Sequence, residues 1–230
     1  SNFTQSNMSL MEQQWTNIRT SLLTAVELLG SFGYTSRTLT ADSVTIPIAF
    51  YIHKRGLDTS YVSSSSTASD RSVIQRWVTR SLMKRGIWGS GLDTLLGRLR
   101  ESIRANDNPI FPITEIEQSM VSIGKSLKFE DAEVSELLDL EYGSRRTFPV
   151  LATVYPGLDL SKSFHEDHIF PRARFKRAAL VKAGVPTDKV EEFKNKVNGL
   201  ANLQLLPGGP NAEKSAALPS DWLKGPHFIS

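Results

Sequence analysis

The run Asp167-His168-Ile169-Phe170-Pro171 sets a carboxylate directly beside an imidazole, ahead of a proline that ends a strand. Downstream stand Asn198, then Asn202-Leu203-Gln204-Leu205-Leu206, then Asn211 with Lys214 one helical turn later. An imidazole has an unperturbed pKa of ~6.5, so His168 is suited to taking a proton near neutral pH. Side chains alternate along a strand, so Asp167 points away from His168 and can hold a cation while its neighbour faces a water. Hydrolysis of a phosphodiester needs these parts: an activated water, neutralised phosphoryl oxygens and help for the leaving oxygen.

The elements that must position these residues are short. Phe164–Phe170 and Leu203–Leu206 read as extended stretches, and the residues from Asn211 onward as a final helix. Between the stretches lies a basic excursion, 172–197, within which Pro186-Thr187 starts a fresh helix. Residues 171–200 carry Arg172, Arg174, Lys176, Arg177, Lys182, Lys189, Lys194 and Lys196 against Asp188, Glu191 and Glu192, a local excess of five positive charges. Such a patch suits phosphate, though it equally describes a solvated helix face.

Upstream the pattern is helical. Leu10, Trp15, Ile18, Leu22, Leu23, Val26 and Leu29 predict an amphipathic helix with one buried stripe, stopped by Gly30 and Gly33. Val44–His53 is a continuous apolar run in which Pro47 argues for a short buried helix over a central strand. A Ser63–Ser66 loop leads to a helix begun near Asp70, and Gly89-Ser90-Gly91 separates it from one beginning at Leu92. Thr114 and Glu117 have capping-box spacing. Six acids between 129 and 141 predict a helix with a solvated acidic face.

Composition narrows the class. The chain has 230 residues, 40% hydrophobic and 22% charged, with a formal net charge of +3, a mild lean toward polyanions. It has no cysteine, which excludes a disulfide scaffold, a thiolate zinc site and a cysteine nucleophile. No apolar run approaches the ~20 residues of a membrane-spanning helix, and no signal peptide opens the chain, so a cytoplasmic, membrane-free protein is expected. Ser1-Asn2-Phe3, with a first Met at Met8, reads as a fragment of something longer.

The block from Phe164 to about Leu223 resembles the HNH nucleases of the ββα-metal fold, and within them the C-terminal half of the GmrSD-type restriction endonucleases, in the pattern DHIFP, N-x-x-x-N-L-x-L-L and N-x-x-K. Ser81-Leu82-Met83 and Gly91–Leu96 look like that family's helical linker. The resemblance implies a DNA endonuclease in which His168 is the general base, Asn202 helps orient it, and Asp167 and Asn211 hold one Mg²⁺ or Mn²⁺. Asn211 stands where the family's third position is often His, and an amide with a carboxylate still makes a hard, incomplete donor set. Lys214, Arg172, Arg174 and Lys176 are the candidate phosphate contacts. One such site cuts one strand, so a monomer nicks.

The implied setting is a bacterial restriction or antiphage system, with modified or phage DNA as partner, a preceding NTP-hydrolysing sensor half, and a homo-oligomer as an option. The expected fold is mainly α with a small C-terminal ββα-metal module, hence α+β, divided into a helical platform at 1–160 and a nuclease module at 161–230. A non-catalytic DNA-binding or regulatory arm and an RNA-directed nuclease are the alternatives. His165, on the face of Asp167, is a further ligand or a polar edge residue. Asn198, before Gly199, reads as a turn residue. His53 and His227 read as structural, and Trp77, Trp88 and Trp222 as packing.

Overall fold

The computed structural model describes residues 4–225, which form two compact units divided between Phe129 and Glu130. His227 lies outside the described residues. The chain is mainly helical with one two-stranded antiparallel sheet, an α+β arrangement.

The first unit holds α1 (Gln5–Gln13), α2 (Trp15–Ser31), α3 (Thr45–Lys54), α4 (Ala68–Met83), α5 (Leu92–Ala105) and α6 (Ile113–Val121). The apolar run around Pro47 is helical, with the proline in the first turn of α3, where its missing N–H has no intrahelical acceptor to lose. Gly91 starts α5 from a left-handed φ of 70°, and Leu95, Leu99 and Ile103 then bury one stripe. Trp77 is fully buried, edge-on to Trp88 at 5.9 Å. Asp70 is buried where three donors converge: the hydroxyls of Tyr51 (2.8 Å) and Tyr61 (2.7 Å) and the backbone N–H of Phe111 (2.7 Å).

Two expectations are corrected here. The predicted buried stripe of the first helix is mostly exposed: Leu10, Trp15, Leu22, Leu23 and Val26 face solvent. The inward face of α2 runs instead through Ser21, Thr24, Ala25, Leu28 and Leu29. Small side chains at 21, 24 and 25 let α2 approach α3 closely, so size rather than hydrophobicity selects the packed face. Nor do Thr114 and Glu117 make a capping box. Thr114 lies inside α6, Glu117 pairs with Arg80 at 2.6 Å, and a capping box is formed instead by Glu130 with Glu133 at the start of α7 (Asp131–Leu138).

The second unit continues with α8 (Thr147–Val154), β1 (Phe164–His168), α9 (Arg177–Lys182), α10 (Val190–Asn195), β2 (Leu203–Pro207), α11 (Gly208–Lys214) and α12 (Pro219–Trp222). The strands pair antiparallel, with Asp167 opposite Gln204 and His168 opposite Leu203. Leu203 and Leu205 are buried on the His168 side, and Leu140, Phe148, Leu151 and Leu200 are buried in the same unit. A second short pairing, Glu141 with Gly199, brings the chain at 140–142 beside the start of β2.

Candidate active site

The two faces of β1 hold two different groups of side chains. On one, the His168 ring is buried, with Tyr142 lying over it at a centroid distance of 4.7 Å. His168 Nε2 is 3.0 Å from Asn198 Oδ1. An amide oxygen only accepts, so Nε2 carries the proton in this arrangement and Nδ1 keeps the lone pair. An imidazole held in one tautomer with a free lone pair is equipped to take a proton from water. Glu166 shares this face of the strand and accepts from the Gly143 N–H at 3.2 Å. Burial raises its carboxyl above the ordinary range, and the Gly143 bond offsets part of that shift.

The opposite face carries Asp167. Its Oδ2 accepts from Gln204 Nε2 at 2.8 Å and pairs with Lys214 Nζ at 2.9 Å. Lys214 is only 2% exposed, and its ammonium also donates to the His168 carbonyl at 2.6 Å. The lysine expected to face phosphate is therefore an internal strut that ties the end of α11 to the end of β1. Ser215, immediately after it, is the one non-glycine residue at positive φ (45°) among the described residues, which places a sharp exit behind the buried cation.

Asn211 lies one turn before Lys214 on α11 and is half-buried. Asp167 and Asn211 are both oxygen donors, which suits a cation that keeps several waters. Lys214 already balances the charge of Asp167, so affinity for a second cation depends on what a phosphate adds. Among the described residues, no cluster of three or more His, Asp or Glu is placed to hold a metal. The His165 ring lies against Gly208: a Cβ on that glycine would come within 3.3 Å of the His165 Nε2.

The hydrogen bonds of the Asn202 side chain go to residues other than His168. Its Oδ1 accepts from the Phe170 N–H at 2.8 Å, and its Nδ2 donates to the Phe170 carbonyl at 3.1 Å and to the Val197 carbonyl at 2.8 Å. The residue that orients the imidazole is Asn198, read from sequence as a turn. Tyr142 and Gln204 were not singled out at all. Gln204 had a usable signal in strand register, because it falls opposite Asp167, whereas Tyr142 is distant in sequence and had none.

Arg172, Arg174 and Lys176 are exposed, as are Arg177 and Lys182, and none of the five forms an ion pair among the described residues. The other lysines of the excursion are taken by acids: Lys189 and Lys196 by Glu192, Lys194 by Glu191. The local excess of positive charge thus collects on Arg172–Lys182. No helix among the described residues is long and apolar enough to cross a membrane. No family model matches the sequence, and no curated protein compared with it is significantly similar.

Proposed function

We propose that the second unit hydrolyses DNA phosphodiester bonds as a metal-dependent endonuclease of the HNH type. The observation that carries this reading is His168: its Nε2 is held 3.0 Å from Asn198 Oδ1, one residue from a carboxylate on the opposite strand face. The order of β1, β2 and α11, two antiparallel strands followed by a helix, supports this reading.

In this reading His168 Nδ1 takes the proton of a water that attacks phosphorus. Asn198 keeps the imidazole in the useful tautomer and steadies the imidazolium that forms. Asn202 fixes the strand end behind His168, and Lys214 holds Asp167 in place. Asp167 Oδ1 and Asn211 would hold Mg²⁺ or Mn²⁺, which supplies charge neutralisation at the phosphoryl and leaving oxygens when bound. Arg172, Arg174 and Lys176 would meet backbone phosphates. The wider setting follows the resemblance and is proposed with it: a cytoplasmic bacterial restriction or antiphage protein acting on modified or phage DNA, alongside an NTP-hydrolysing sensor half and with self-association as an option.

The test is incubation with supercoiled plasmid and Mg²⁺ or Mn²⁺, beside His168→Ala. Open circles that form only with metal and vanish in the variant are expected. Equal products from both proteins would sink the assignment of His168. One observation favours a second reading: Asp167 is already neutralised by a buried lysine and His168 is 8% exposed, so the unit as it stands is closed. Plasmid retained in a gel shift without any metal-dependent cut is the result that marks a non-catalytic DNA-binding or regulatory arm.

A further inference from the structure

The second unit contains a cleft of about 880 Å³ that shares Arg174 and Asn202 with the site described above but is otherwise lined by residues to which that site gives no role. Its wall is built from the basic excursion and from residues 199–202 that lead into β2, with Leu138 and Leu218 at its margins, and its lining is dominated by apolar surface, with no acidic residue. Phe170 and Phe193 line it while being 50% and 40% exposed, so two aromatic faces are open within one apolar cleft. Three cations, Arg174, Lys182 and Lys196, complete the lining. Lys196 is committed to Glu192 at 2.6 Å and sits 5.9 Å from the Phe193 ring centre, whereas Arg174 and Lys182 form no ion pair among the described residues.

We infer that this cleft binds unpaired nucleotides of single-stranded or locally opened DNA, with bases stacked on Phe170 and Phe193 and phosphates against Arg174 and Lys182. Exposed aromatic faces beside free cations are what a single strand requires: every base offers a π-face, and every linkage a negative charge. A duplex keeps its bases stacked on each other and cannot use the phenylalanines. Placement adds a second argument. Phe170 stands two residues beyond His168 and is clamped through both its N–H and its carbonyl by Asn202, so a base stacked there is held in fixed register with the imidazole. The inference rests on the proposed action on nucleic acid and gives it a substrate class, a strand whose bases are accessible.

Binding measured without metal separates this inference from catalysis. Fluorescence anisotropy of a labelled oligo-thymidylate, in EDTA, should show the single strand bound more tightly than a duplex of equal length. Phe170→Ala and Phe193→Ala should each weaken the single strand about tenfold and leave the duplex nearly unchanged. Both side chains are exposed, so the variants should melt with the wild type. Arg174→Ala with Lys182→Ala should lower the slope of log K against log salt by about 1.4, two phosphates at roughly 0.7 each.

A duplex bound as tightly as the single strand, or phenylalanine variants that bind like the wild type, would overturn the inference. So would an acidic amphipathic peptide that binds and is lost in Phe170→Ala while the oligonucleotide is unaffected, since the cleft then belongs to a protein partner. Phenylalanine-dependent binding in a protein that never nicks plasmid would leave the cleft assignment standing and remove the nuclease reading.

Discussion

Replacing Lys214 by Met tests how the two strand faces are joined. The side chain is 1% exposed, and its ammonium holds Asp167 Oδ2 at 2.9 Å and the His168 carbonyl at 2.6 Å. Methionine fills a similar volume, so little of the loss comes from a cavity. What remains is a carboxylate with one of its two donors gone and a carbonyl with none from this side chain. Breaking a buried pair costs ~3–5 kcal/mol. Asp167 keeps Gln204 and has 13% of its side chain exposed, which lowers the expected cost to about 2–4 kcal/mol. For a unit of this size that corresponds to a melting shift of roughly 10–20 °C.

Urea denaturation of the wild type, Lys214→Met, Asp167→Asn and the double variant closes a cycle. The pair should show a coupling above about 1.5 kcal/mol, with the double variant more stable than the sum of the single losses allows. Lys214→Met also frees Asp167 for a divalent ion. Its stability should rise in Mg²⁺, by about 1.4 kcal/mol at ten times the dissociation constant, with a smaller rise in the wild type. A loss under about 1 kcal/mol, or the same loss in the Asp167→Asn background, would refute the strut.

Three other outcomes follow from the same geometry. Asn198→Ala should reduce metal-dependent nicking about 10- to 100-fold at unchanged plasmid affinity, because the imidazole loses the acceptor that sets its tautomer; Asn198→Asp, which keeps an acceptor, should recover part of the rate. Glu166 binds a proton more readily folded than unfolded, so its burial penalty is full above the raised folded pKa and absent below the ordinary carboxyl value. Stability should therefore fall as pH rises through that window, and Glu166→Gln should gain over the wild type at neutral pH and lose the advantage in acid, as read by melting temperature. Asp70→Ala should cost about 3–5 kcal/mol in urea, since Tyr61 and the Phe111 N–H are left without an acceptor while Tyr51 retains the Pro109 carbonyl; Asp70→Asn should cost about half of that. Burial, reinforced by the Asp70 carboxylate, raises both tyrosine hydroxyls, so the variants should also bring their titration back toward ordinary values in a spectrophotometric scan.

How much of this was legible in the sequence depends on the range of the forces involved. The strands at Phe164 and Leu203 were readable as short extended stretches, though β1 ends at His168 two residues before the expected Phe170, and α3 because Pro47 argues against a central strand. The packed face of α2 was not, since Ser21, Thr24 and Ala25 bury through the close approach of α3 and not through their own hydrophobicity. Lys214 was misread for a related reason. A lysine is assigned to solvent by default, and only the fold reveals that α11 ends against the carboxylate and carbonyl that take its charge. Asn198 and Asn202 exchanged tasks because an Asn-Gly pair signals a turn locally, while its side chain answers to a histidine thirty residues away.

Asn202 bonds to Phe170 on one side and Val197 on the other, so a single amide closes the neck of the whole excursion between them. A loop closed in this way is a cartridge. Its contents can be lengthened, shortened or exchanged at little cost to the frame, because doubling a closed loop costs only about 0.6 kcal/mol in chain entropy. The cations Arg174 and Lys182 and one wall of the cleft lie in the cartridge, while Phe170 and the residues 199–202 of the other wall, with His168, Asp167 and Asn211, lie in the frame. On the proposed function, part of the strand-binding surface would therefore be exchangeable without touching the residues assigned to hydrolysis. A protein with 172–196 replaced by an unrelated loop should melt with its parent yet bind a different range of strands; collapse of the melting transition would show that the clasp alone does not hold the frame.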